Sequence, residues 1–198
     1  MPKSLIYRAS DEKEALRQGE ILTGVIQFIP VPNEASPELD KTQFKPIIHP
    51  YAIVVSQDCD LDWDYKARQT TDKQNKLLNS ILCCEIYQAQ EIRQDRNTYQ
   101  MNSEKWNLVK TNCNKQFHFF EKIPLECDLT KEGLAELTAD FKKVFAVDPE
   151  FLYYQISINK VQRRSVFVSP YLEDFFQRYY SYHGRVALPA QHESEKGG

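Results

Sequence analysis

Glycine is scarce: the 198-residue chain has six. It contains no G-x-x-x-x-G-K-[ST] phosphate loop, no G-x-S-x-G elbow and no G-x-G-x-x-G fingerprint, so glycine-built nucleotide and nucleophile sites are excluded. Long hydrophobic runs are missing as well. A membrane helix needs roughly 20 apolar residues, and the longest apolar stretch, Tyr51 to Val55, is strand-sized. Met1 to Ser10 holds no apolar signal core, and no lipidation pattern is present. The five cysteines, Cys59, Cys83, Cys84, Cys113 and Cys127, include no C-x-x-C pair, which removes a zinc site built on that motif. Their odd number and irregular spacing fit reduced thiols. The expectation is a cytoplasmic protein with no membrane partner and no cofactor. A dominant charge sign is also absent: 25 Lys and Arg stand against 28 Asp and Glu, for a net charge of -3. A broad basic binding surface is therefore not expected, although a small basic cleft is compatible with that sum.

Enough is present to fold. Apolar residues make up 41% and charged residues 27%, which supports a packed core without disulfide staples. The expected organisation is one α+β domain over residues 1–189, followed by a polar tail over 190–198. Ser10 and the acids after it predict a short helix over 10–18, stopped by Gly19. A strand should follow over 20–29, with Leu22, Ile26 and Phe28 on one face and Gly24 at a bulge or bend. Pro30, Pro32, Pro37, Pro46 and Pro50 predict a long loop over 30–50. Tyr51 to Ser56 reads as a central, doubly covered strand, followed by a polar turn over 57–64 and a helix over 65–79. Further strands are expected over 80–89 and 116–120, with Cys83 and Cys84 facing opposite sides, one in the core and one outside. Residues 90–115 read as loop with one helical turn. Leu134, Leu137, Phe141, Val144 and Phe145 predict an amphipathic helix over 130–146. Strands are expected over 151–158 and 165–168. Ser169-Pro170 opens a last helix over 169–183, whose apolar face is aromatic.

Three groups of residues have the types that carry chemistry. Asp58, Asp60, Asp62 and Asp64 alternate, but Trp63 and Gln69 replace the glycine and glutamate of a calcium loop, so an EF-hand is excluded. On one strand face they would bind a cation; on a turn they are solvated acids. Cys59, at a strand end, is a candidate thiol nucleophile with His49 or His118 as base, although Asp58 and Asp60 would raise its pKa. Arg163, Arg164 and Arg185, with Arg178 and the C-terminal tyrosines, are candidates for a basic, aromatic RNA surface. The alternative roles are helix-dipole partners for the cations and core packing for the tyrosines.

Gln18-Gly19-Glu20-Ile21-Leu22, the proline-marked stretch and His49-Pro50-Tyr51-Ala52-Ile53-Val54-Val55-Ser56-Gln57-Asp58 together resemble the front half of the PemK/MazF-like toxin barrel. The resemblance covers roughly residues 18–60. It implies a small SH3-like β-barrel over about 18–160, elaborated by insertions and C-terminal helices. It also implies a toxin-like domain that binds or cleaves RNA without metal, in a bacterial defence or toxin-antitoxin system. Ser56 would map onto the strand-end hydroxyl, with Gln57, His49 as acid or base, and Lys45 as the phosphate-facing cation. No arginine lies between Arg17 and Arg68, so Lys45, Lys41 or His49 would stand where the family carries an arginine, without its forked grip. Such barrels often pair as homodimers. The whole chain also resembles a group of uncharacterised bacterial proteins with an SQ-x-CD strand end, here Ser56 to Asp60, and a gRv-x-LP signature, here Gly184 to Pro189. The alternative function is a non-enzymatic partner of another protein from the same operon. A metal- or thiol-dependent hydrolase using Asp58, Cys59 and Asp60 comes third.

Overall fold

Seven strands build one sheet in the computed structural model, which describes residues 6–31, 42–70 and 72–186. The strands are β1 (Tyr7–Ala9), β2 (Glu20–Val31), β3 (Gln43–Val54), β4 (Ile81–Gln88), β5 (Phe117–Phe120), β6 (Leu137–Val147) and β7 (Gln162–Phe167). Their order is β1-β7-β2-β3-β4-β6-β5, with every neighbouring pair antiparallel. The helices are α1 (Asp58–Arg68), α2 (Ala89–Gln94), α3 (Ser103–Lys110), α4 (Pro149–Ser157) and α5 (Tyr171–His183). The α+β class stands. Among the described residues no ladder joins the edge strands β1 and β5, so the sheet is open where a closed barrel was expected.

The sheet is covered on both faces. On one, Ile21, Ile53, Cys84, Ile86, Phe141 and Phe167 pack with Phe175, Phe176, Tyr179 and Tyr182 of α5. On the other, Leu22, Val25, Ala52, Val54 and Cys83 meet Leu61 of α1 and Leu152 of α4. Farther along, Ile92 of α2 and Trp106 and Val109 of α3 cover Phe117 and Tyr87. Strand Ile53-Val54 is buried on both sides, as its unbroken apolar run suggests. Cys83 and Cys84 do face opposite sides, but both are fully buried, because both sides are core.

Several local expectations fail for identifiable reasons. Residues 10–18 form turns, because the carbonyls of Glu14 and Ala15 accept hydrogen bonds from Arg163 and the Arg17 amide donates to Glu20. Residues 43–50 belong to β3, not to a loop. Pro30 and Pro46 sit in the ladder opposite Phe44 and Phe28, where among the described residues no third strand lies alongside and a missing N–H costs little. Pro32 and Pro37 lie outside the described residues. The acidic stretch after Gln57 is the start of α1, not a turn. Residues 90–115 contain two helices. The helix expected over 130–146 is largely β6: Gly133, at φ 72°, interrupts the segment, and pairing with β4 and β5 takes the rest. Leu137, Ala139 and Phe141 do alternate with Thr138 and Asp140, but those two are buried as well, and Leu134, Leu137 and Phe141 also fit helical spacing. The strand expected over 151–158 is α4, started by Asp148, which accepts from the Phe151 amide at 2.8 Å, and by Pro149 in its first turn. Helix α5 begins at Tyr171 with Pro170 at its cap position and ends at Gly184.

Gly24 marks an irregularity in β2. Its φ is 77°, and the alternation of β2 changes phase there: Leu22 and Val25, three apart, share a core. A β-carbon at Gly24 would stand 2.7 Å from the Lys160 carbonyl oxygen. Gly24→Ala is expected to destabilise by about 1–3 kcal/mol, from the left-handed backbone and this clash. A thermal melt checks it, and an unchanged midpoint would count against the bulge.

Candidate nucleic-acid interface

The residues expected to form a cutting site do not come together. Ser56 lies just past the end of β3, where its Oγ accepts the Leu82 amide at 2.9 Å and ties β3 to β4. Gln57 is the cap residue of α1. His49 lies within β3, seven residues before Ser56, roughly 20 Å away at strand rise. Lys45 is exposed farther along β3, opposite Ile29.

His49 instead joins a network the sequence pattern does not reveal. Its ring is buried and stacked on Phe145 at 3.7 Å. Nδ1 lies 2.7 Å from Glu85 Oε1, and Nε2 lies 3.3 Å from Gln27 Oε1. Tyr87 donates its hydroxyl to Glu85, and Lys143 donates to the Tyr87 oxygen at 2.6 Å. Burial pushes the Glu85 carboxyl up, but hydrogen bonds from His49 and Tyr87 outweigh it and hold the group below its usual range. Tyr87 is pushed far up, by burial first and then by Glu85. These partners come from β2, β4 and β6, so only strand pairing assembles them.

His118, the other candidate base, is enclosed by Phe120, Phe141, Phe167 and Phe175 at ring distances between 5.0 and 6.3 Å. Its Nδ1 has no hydrogen-bond partner among the described residues. Burial, then the Arg178 charge, pushes the imidazole down to about 3. The unfolded chain therefore binds a proton that the folded chain refuses between about pH 6.5 and that value, and stability falls as pH falls through this window. His118→Phe should narrow the gap between melting temperatures at pH 8 and pH 5. An unchanged gap would refute this burial account.

Arg163 and Arg164 spend their donors inside the protein. Arg163 holds Glu20 at 2.6 and 3.0 Å, and Arg164 holds Asp128 at 2.8 and 2.6 Å, all four groups buried. Arg185 is exposed, its guanidinium 3.6 Å from the Tyr182 ring centroid. It lines a cleft of about 500 Å³ with Arg178, Lys115, Asn112 and one acid, Asp174.

The four acids of the alternating run are dispersed around α1. Asp58 binds Arg17 and the Gln18 amide, Asp62 pairs with Lys66, and buried Asp64 holds Arg68 and the Leu78 amide. Among the described residues no cluster of three or more His, Cys, Asp or Glu could hold a metal ion. Cys59 and Cys113 are exposed, and burial pushes the Cys83 thiol up to about 12.

The most coherent charged site lies between α2 and α3. Helix α2 is opened by a capping box of Gln88 and Glu91. Asp95 then accepts the Thr98 amide at 2.7 Å, which turns the chain at Arg96. Asn102 Oδ1 accepts the Lys105 amide at 2.7 Å and starts α3. The resulting cleft, about 700 Å³, is lined by the cations Arg93, Arg96 and Lys110. Gln100, Asn102, Ser103 and Asn107 add neutral hydrogen-bonding groups, and Met101 and Trp106 form a buried floor. No carboxylate lines it. The Arg93 guanidinium lies 5.9 Å from the Trp106 ring centroid. Lys110 is two residues from Asn112, so the C-terminal end of α3 leads into the Arg178-Arg185 cleft. The signal available in the sequence was the spaced cations among asparagines in residues 93–115, a stretch that reads as loop.

The fold and site thus define an α+β protein with an open antiparallel sheet, flanked by helices that carry a cleft of cations and amides. No family model, no curated protein and no solved structure matches the chain. Among the described residues no helix is long and apolar enough to cross a membrane.

Proposed function

We propose that the protein is an RNA-binding domain that holds a single strand across the face made by α2, α3 and the C-terminal end of α5. The observation that carries this reading is the α2-α3 cleft: three cations, four neutral polar side chains and no carboxylate among its lining. Cations neutralise phosphates, while amides and hydroxyls reach base edges and the 2'-hydroxyl. An overall charge of -3 is compatible with this, because a local cleft field does not depend on the sum.

RNA is held on this face without being cut. Ser56 is committed to the Leu82 amide, and His49 is buried at a distance from it. Arg163 and Arg164 serve the fold, and Arg185 remains on the RNA face. Fluorescence anisotropy with a labelled RNA of about 15 nucleotides tests the reading. Saturable binding that weakens with added salt supports it. No binding at low salt, or equal binding by DNA of the same sequence, counts against an RNA-specific surface.

A further inference from the structure

Beyond the main sheet, β2 and β3 continue as a two-stranded arm. β7 pairs with β2 only over Glu20 to Thr23, and β4 pairs with β3 only over Tyr51 to Val54. In the arm, Ile26 faces Ile48, Phe28 faces Pro46 and Pro30 faces Phe44. Alternation puts these six side chains on one side of the ribbon, and all six are apolar. Ile48 is 65% exposed, Phe44 61% and Phe28 49%. Gln27, Ile29 and Lys45 alternate to the opposite side. Only Phe28 has a described aromatic neighbour, Phe151 of α4, at 5.3 Å.

We propose that this face is the contact between two copies of the chain. A charged or nucleic-acid partner finds no group on it to bind. Two identical faces related by a two-fold axis meet apolar against apolar, with no like charges opposed, which is the self-complementarity that symmetric dimers require. The size also fits. Two half-exposed phenylalanines, an isoleucine and two prolines amount to about 500 Å² per copy, if a full aromatic buries about 200 Å². Both copies together then reach about 1,000 Å², the size at which a weak, concentration-dependent dimer becomes feasible. A two-stranded ribbon is marginal in water, and a second ribbon laid against it supplies the missing layer. Pro30 and Pro46 remove donors along the arm, which disfavours strand addition at its edges and leaves the face as the docking surface.

Sedimentation velocity on the intact chain up to about 100 μM tests this. A dimer is expected for the wild type. Phe44→Glu and Ile48→Lys, made separately, should each give a monomer with an unchanged melting curve at low concentration, since both side chains project into solvent. Lys45→Glu, on the opposite side, should remain dimeric. A wild type that stays monomeric throughout, or a folded Phe44→Glu and Ile48→Lys that both still dimerise, would overturn the proposal.

Discussion

Asp128→Ala should cost about 3–5 kcal/mol of folding stability, the usual result of leaving one partner of a buried ion pair alone. Asp128 is 2% exposed and organises a whole segment. Its carboxylate accepts two hydrogen bonds from Arg164, and others from the amides of Thr130, Glu132 and Gly133 and the Thr130 hydroxyl. Removal leaves the buried Arg164 guanidinium with the exposed Glu132 carboxylate at 3.2 Å and the Gly133 carbonyl at 3.3 Å in place of a two-bond grip, and releases the turn that precedes β6. Replacing both partners, with Asp128→Leu and Arg164→Met, should cost less than the single change, because no lone charge stays buried. Burial pushes the Asp128 carboxyl up, but hydrogen bonds from Arg164 and Thr130 overcome it and hold the group below the ordinary value. A depressed carboxyl contributes stability above its unfolded pKa, about 4, and that contribution is lost as pH falls through the folded value. The wild type should therefore lose stability on acidification below that point, and Asp128→Ala should lose less. Denaturant unfolding at neutral and acid pH measures both. A cost under about 1 kcal/mol would place the pair among weak surface bridges.

The second large effect concerns binding. Replacing Arg93, Arg96 and Lys110 together by alanine should weaken RNA affinity about 100-fold at about 0.1 M salt. Each phosphate contact to a single strand contributes a slope of about 0.7 in log affinity against log salt, so three contacts amount to about two decades there. The slope should flatten by about 2 as well. All three side chains are exposed, so the variant should keep its fold. Arg163→Ala, in contrast, should act on stability, because its donors go to Glu20 and to the carbonyls of Glu14 and Ala15. Equal salt slopes for wild type and triple variant would remove the α2-α3 cleft from the binding surface.

The parts of the fold legible in the sequence are those where local pattern and tertiary context agree. Strand Tyr51 to Val54 shows in its apolar run, β4 and β5 in theirs, and α5 in the spacing of Phe175, Phe176 and Tyr179. In β6 two periods overlap: Leu137, Ala139 and Phe141 alternate with the buried polar Thr138 and Asp140. Leu134, Leu137 and Phe141 fit a helix as well, and pairing with β4 and β5 decides for β6. The prolines misled because their cost depends on whether a neighbouring strand needs the N–H, which residues 43–50 do not disclose. Arg163 and Arg164 look like surface cations until Glu20 and Asp128, 143 and 36 residues away, are brought against them. The cleft of Arg93, Arg96 and Lys110 was visible only as scattered charges, because α2 and α3 are short and weakly amphipathic. Glu85, Tyr87 and Lys143 beside His49 had no local signal at all.

Photo-crosslinking locates the bound RNA directly. A 4-thiouridine-substituted RNA of about 15 nucleotides is bound to the intact protein, irradiated, and the modified peptides are identified by mass spectrometry. Binding on the helical face predicts adducts within residues 93–115 and near Arg178 and Arg185. Adducts confined to residues 43–57, around Lys45, His49 and Ser56, would contradict it and return the site to the strand end.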